Sequence, residues 1–160
     1  MTEVLRKSAI VVTAVALLWG TWSWLKPKPD DEAWLLALPS RMAKLVEQKE
    51  PGEIKELVSK SYSDAKGRTQ DDLHRAILAQ MLHGGEISVY TLAPQVAIDA
   101  AATPPRAVLT FRAALARGPR QPGALDVFPE SASIYLFTLE LEKTDEKWLL
   151  ASGDWVRSDP

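Results

Sequence analysis

Residues 131–157 read SASIYLFTLELEKTDEKWLLASGDWVR. Two runs rich in aliphatic and aromatic residues flank the polar tetrapeptide Lys143-Thr144-Asp145-Glu146. Such runs split by a short polar turn predict a β-hairpin, with strands over 131–142 and 147–156. Neither strand alternates cleanly. Tyr135, Phe137, Leu139 and Leu141 share one side, while Ile134 and Leu136 begin the other. In the partner strand Trp148, Leu150 and Val156 fall on one side, and Leu149, Ala151 and Trp155 on the opposite side. An antiparallel strand with one wet face alternates, so something is expected to cover both faces of this hairpin.

Upstream the same period of two continues. Residues 86–92 (EISVYTL) predict a strand, continued or followed by another over 95–100 past a bend at Pro94. A long strand is expected over 106–116, and a loop with Pro119, Pro122 and Pro129 over 118–130. Before residue 85 the period is helical. Trp34, Leu35, Leu38, Met42, Leu45 and Val46 predict a helix over 31–49, with Pro39 expected to kink or split it. Pro51-Gly52-Glu53 opens a second helix. After a polar loop (61–68), Thr69 with Asp72 reads as a capped start for a third, with Leu73, Ile77 and Met81 inward and Gly84-Gly85 as its stop. Helices first and an antiparallel meander after is an α+β pattern.

In this order and in three stretches the chain resembles the nuclear transport factor 2-like superfamily, also called the SnoaL-like or cystatin-like cone. The stretches are 57–64 (LVSKSYSD), 131–142, and the Trp-rich 147–157 (KWLLASGDWVR). The resemblance covers 31–157. It implies three helices packed on a curved antiparallel sheet. It leaves function open, because this fold hosts isomerases, dehydratases, binding modules and secretion-system scaffolds.

Residues 8–25 (SAIVVTAVALLWGTWSWL) carry no charge. As a helix they span about 27 Å, close to the hydrocarbon core of a bilayer. Trp19, Trp22 and Trp24 crowd one end, as indoles do at the headgroup level. A signal-peptide cleavage site is not readable in the bulky Gly20-Thr21-Trp22-Ser23-Trp24. The expectation is an uncleaved single-pass anchor within residues 1–25. A stiff Lys26-Pro27-Lys28-Pro29 spacer (26–30) and the domain at 31–157 follow. A short tail before a single span stays inside, so the location expected is a bacterial inner membrane with the domain periplasmic. The bacterial source is itself what the resemblance implies.

Across 160 residues, 19 basic and 21 acidic side chains give a net charge of −2. The basic residues Arg6, Lys7, Lys26 and Lys28 stand against Glu3 alone in the N-terminal segment, so the domain is the more acidic part. Nucleic acid is not an expected partner. No cysteine is present, which excludes disulfides, thiolate metal sites and a cysteine nucleophile.

The resemblance implies, for the family's isomerases, a carboxylate base with a tyrosine in an apolar cone. By simple alternation Asp154 shares a face with Trp148, Leu150 and Val156, which makes it the one carboxylate candidate. Tyr62 and Tyr135 are candidate hydroxyls. His74 and His83 are nine apart, out of phase for a shared metal, and no metal or cofactor is expected. Arg106, Arg112, Arg117 and Arg120 fall in a segment free of acidic residues, a candidate contact for anionic headgroups or an acidic partner. The expected function is a membrane-anchored, non-catalytic binding or scaffold domain. Its expected partners are the bilayer through 8–25, and a protein or second copy through Ile134, Leu136, Leu149 and Trp155. The alternative is a small-molecule-binding or isomerase/dehydratase-type enzyme using the cone, Asp154 and a tyrosine.

Overall fold

The computed structural model describes residues 30–120 and 132–158. The helices α1 (Asp31–Glu47), α2 (Pro51–Glu56) and α3 (Gln70–His83) precede the strands β1 (Ile87–Asp99), β2 (Arg106–Arg117), β3 (Ser133–Thr144) and β4 (Lys147–Arg157). The strands form one curved antiparallel sheet in the order β1-β2-β3-β4. The apolar run 8–25, with Trp19, Trp22 and Trp24, lies outside the described residues. No described helix is long and apolar enough to cross a membrane.

α1 buries Leu35, Leu38, Ala43 and Leu45, and runs unbroken through Pro39. Of the kink or split expected at Pro39, the split does not occur. Pro39 removes the N–H that would bond the Leu35 carbonyl, but its ring is itself buried beside Leu35 and Leu38, so apolar packing holds that turn. α2 starts with Pro51, at a position where an N–H has no intrahelical partner. α3 starts with a full capping box. Thr69 Oγ1 accepts the Asp72 N–H, and Asp72 Oδ2 accepts the Thr69 N–H at 3.0 Å. Leu73 packs on the main core, and Ile77 and Met81 join Leu45 and Ile54 in a satellite cluster.

β1 is one strand that absorbs an irregularity at Ala93-Pro94, with φ of 47° at Ala93. Pro94 is tolerated there because β1 is an edge strand. The β3–β4 turn is tighter than the tetrapeptide suggested. Thr144 pairs with Lys147, and Asp145 and Glu146 both have positive φ, 50° and 62°. A two-residue left-handed turn of this kind matches the twist of the strands it joins.

The decisive local feature is in β4. Its register passes from Leu141–Leu150 to Glu140–Ser152, which leaves Ala151 as a bulge. A bulge inserts one residue and exchanges the faces beyond it. Trp148 and Leu150 point to the helices before it, and Gly153 and Trp155 after it, while Asp154 and Val156 turn out to solvent. This corrects the alternation that put Asp154 on the apolar face and Trp155 on the opposite one.

The inner face of the sheet packs Leu109, Phe111, Leu139, Leu141, Trp148 and Leu150 against Leu35 and Leu38 of α1. Each such side chain contributes about 1.5–3 kcal/mol on burial. On the outer face a second small core gathers Tyr90, Ala114 and Ala116 with Ala132 and Ile134. Each sheet edge is engaged at one point by the chain outside the sheet. Along β4, Ser59 N–H donates to the Leu150 carbonyl and Leu150 N–H to the Leu57 carbonyl, both at 2.8 Å. Along β1, Val89 N–H donates to Glu47 Oε1 at 2.8 Å, and Arg120 donates to the Val89 carbonyl at 2.7 Å.

Candidate functional site

On the inner face, one lateral row across β2, β3 and β4 is aromatic throughout. Phe111 pairs with Phe137, and Phe137 with Trp155. Phe111 and Phe137 stack at 5.1 Å with planes 6° apart, and Trp155 stacks on Phe137 at 6.3 Å. In the next row Tyr135 pairs with Arg157 and lies 6.4 Å from Phe137. Phe111 is buried, whereas Tyr135, Phe137 and Trp155 are half-buried, so this end of the inner face forms an accessible aromatic strip.

The loop before α3 supplies the charge. Asp64 Oδ1 accepts the backbone N–H groups of Lys66 and Arg68 at 2.9 and 3.0 Å, and its Oδ2 accepts Arg68 Nε at 2.6 Å. Gly67, with φ of 70°, makes the turn that brings these donors round. Burial alone would raise the Asp64 carboxyl, but those donors and the guanidinium hold it below the ordinary aspartate range. Arg68, so fixed, lies over the Trp155 ring at 4.6 Å. Beside it Tyr62 is only 3% exposed. Burial raises its phenol, and the Asp64 carboxylate pushes the same way.

The three enzyme candidates do not converge. Asp154 is exposed on the outer face, opposite Thr138, and caps its neighbour's backbone by accepting the Trp155 N–H at 2.9 Å. Tyr135 is on the inner face. Tyr62 is in the loop beneath Gly153, where an added Cβ would stand 3.7 Å from its hydroxyl. In the sequence Asp64 and Arg68 fall within the polar loop 61–68. Their i,i+4 spacing across a glycine was visible, but the stacking on Trp155 depends on the β4 bulge.

The four expected partner residues also separate. Ile134 is taken up by the small outer core. Trp155 is on the inner face. Leu149 pairs with Glu142 near the hairpin turn, and Leu136 sits in another row of the outer face. That row crosses the whole sheet as Leu92, Arg112, Leu136 and Val156. Leu92 is 37% exposed and Val156 55%. On one side the adjoining row is polar, with Gln95, Thr110, Thr138 and Asp154, and the row beyond it is mixed, with Ala97, the exposed Val108, Glu140 and Ser152.

The arginines do not form one patch. Arg106 is exposed opposite Glu142 and Asp99. Arg112 stands six residues along the same strand, about 20 Å away. Arg117 ends β2 opposite Ile87. Arg120 is committed to the β1 edge. It donates to Glu47 Oε1 at 2.8 Å and lies over the Tyr90 ring at 4.7 Å. Among the described residues no group of three or more histidine or carboxylate side chains could hold a metal ion.

Comparison of the sequence with protein-family models and with curated proteins yields no match. The fold does match solved structures. A Streptomyces avermitilis protein of the nuclear transport factor 2-like (NTF2-like) family, described provisionally as a dehydratase, aligns with 82% of this chain and 100% of its own, at TM-score 0.62 and 14% identity. An NTF2-like protein of unknown function from Pseudomonas putida aligns with 81% of this chain and 86% of its own, at TM-score 0.58 and 14% identity. A Caulobacter vibrioides protein with a cystatin-like fold aligns with 81% and 89%, at TM-score 0.57 and 14% identity. The chain therefore has the NTF2-like, cystatin-like cone fold that its sequence resembles. At these identities the likeness is one of fold alone.

Proposed function

We propose that the chain is a non-catalytic binding domain, tethered by residues 8–25 to a bacterial inner membrane with residues 31–157 periplasmic, whose outer sheet face holds a protein partner. The observation that carries this reading is the outer-face row of Leu92, Leu136 and Val156 around Arg112, with Leu92 and Val156 exposed and Leu136 half-buried. Apolar surface gains about 25 cal/mol per Å² when covered, and exposed apolar side chains grouped about an arginine suit a protein contact. The dispersal of Asp154, Tyr62 and Tyr135 argues against the isomerase plan, since acid–base catalysis needs its groups within hydrogen-bond reach of one substrate.

The charge layout favours a second copy as that partner. Arg112 lies in the apolar half of the face, and Asp154 and Glu140 lie one and two rows further along. A two-fold axis across the strands between the halves carries each Arg112 over the acidic rows of the other copy, the self-complementarity an isologous interface requires. The test is the mass of the full chain in detergent by light scattering. The expected result is a dimer that Leu136→Asp and Val156→Asp convert to monomers with thermal unfolding retained. Leu82→Asp, on α3 at a residue 73% exposed, leaves the dimer intact. A wild-type monomer, or variants that stay dimeric, would overturn the reading.

A further inference from the structure

The geometry points to Arg68, Trp155 and Arg157 as a binding site for a monoanionic carboxylate carried on a flat aromatic body. The first ground is an arginine that is positioned but not satisfied. Arg68 is held on two sides, by the bond from its Nε to Asp64 and by the Trp155 ring beneath it. Its terminal amino groups have no acceptor among the described residues. The side chain is 29% exposed, so those donors are within reach of a ligand. A planar guanidinium fixed in this way loses little entropy on accepting a bidentate carboxylate.

The second ground is its setting. Beyond the bulge, Gly153, Trp155 and Arg157 alternate onto the inner face, so Arg157 stands one step along β4 from Trp155 and directly beside Tyr135. Arg157 is exposed and has no ion-pair partner among the described residues. Two arginines thus flank one indole, with the half-buried Phe137 and Tyr135 as the adjoining surface.

The balance of charge selects the anion. Asp64 neutralises one of the two guanidinium charges, which leaves a local excess of one. A single carboxylate matches it, and a phosphate dianion over-compensates. The aromatic strip selects the body, since flat π-systems gain from offset stacking on rings of this kind.

The probe is 2-naphthoate, titrated by calorimetry at pH 7 into the full chain in nonionic detergent, with a micelle blank subtracted. The neutral 2-naphthylmethanol is the matched control. Saturable binding of naphthoate is expected, with the alcohol at least about 10-fold weaker, the scale of a charge-assisted hydrogen bond. Arg68→Gln is expected to abolish binding, but it also strips Asp64 of its partner. Arg157→Gln carries the decision, because among the described residues no side chain is ion-paired to it. It should weaken naphthoate about 10-fold with an unchanged melting temperature, while Arg117→Gln changes neither. Equal binding of acid and alcohol, full affinity in Arg157→Gln, or no saturation with naphthoate would each overturn the assignment. Leu136→Asp is expected to bind naphthoate normally, which separates this site from the outer-face contact.

Discussion

Truncating Trp155 and its neighbour Val156 to alanine, one at a time, measures the β4 bulge directly. With the bulge, Trp155 stacks on Phe137 at 6.3 Å and carries Arg68 at 4.6 Å, and Val156 is 55% exposed on the other face. Without it the two would exchange places. A fully buried Trp→Ala costs about 3–5 kcal/mol. Trp155 is half-buried, so about 2 kcal/mol is the expected packing loss, with about 0.5–1 kcal/mol more for the guanidinium above the ring. In the single chain Val156→Ala trims an exposed side chain, so below the concentration at which copies associate it should stay within about 0.5 kcal/mol. Urea unfolding at fixed protein concentration is the assay. With a slope of about 1.5 kcal/mol per molar, Trp155→Ala moves the midpoint down by about 1.5–2 M, and Val156→Ala hardly moves it. A double-mutant cycle with Phe137→Ala should return about 1 kcal/mol of coupling. Equal small shifts for the two single variants, or a larger one for Val156→Ala, would refute the register with its bulge at Ala151.

Leu109 is completely buried at the centre of the sheet, so Leu109→Ala should cost about 2–5 kcal/mol by calorimetric or urea unfolding. Thr69→Ala removes the capping box from α3 and should cost about 1 kcal/mol, with matching loss of helical signal on heating. Thr69 and Arg75 hold the Asp72 carboxyl at about 2, and the bond from Lys55 likewise lowers Asp71. These folded values lie below those of the unfolded chain, near 3.9. Their contribution is therefore complete above about pH 4–5 and is lost as pH falls toward 2. Melting temperatures across pH 2–6 should show that decline, and Asp72→Asn should flatten it. Arg120→Ala should cost about 1 kcal/mol, the scale of a half-exposed ion pair. Its specific signature is faster amide hydrogen exchange at Val89, on the edge it clasps.

The fold was legible where the two periodicities are long and unbroken. β2 illustrates this, with Ala107, Leu109, Phe111 and Ala113 inward and Arg106, Val108 and Arg112 outward. α3 is as clear, because Thr69, Asp72 and Gly84 mark its ends by hydrogen-bonding chemistry that depends only on near neighbours. Pro39 does not split α1, because a proline's local cost says nothing of the burial that offsets it. The Asp145-Glu146 turn is tighter than its composition suggests, since two residues without glycine adopt positive φ once the flanking strands fix the twist.

The site was less legible for a reason specific to β4. Parity along a strand is a running count, and one uncounted residue inverts everything after it. Ala151 carries no signal of its own. It is small, it follows two leucines, and neither a glycine nor a proline marks it. What selects the bulge is non-local. Leu150 must meet both Leu141 and the Val58 bridge, while Trp155 must meet Phe137. Trp155 lies five residues beyond Leu150, an odd number of steps, so an unbroken strand cannot put both on the inner face. The apolar pattern on both sides of residues 147–156 was thus a single inner face written in two phases. From that inversion follow the removal of Asp154 from the interior, the loss of Trp155 from the outer patch, and the union of Trp155 and Arg157 with Arg68. Val156, which the unbroken alternation had placed with the core, becomes the exposed end of the outer row.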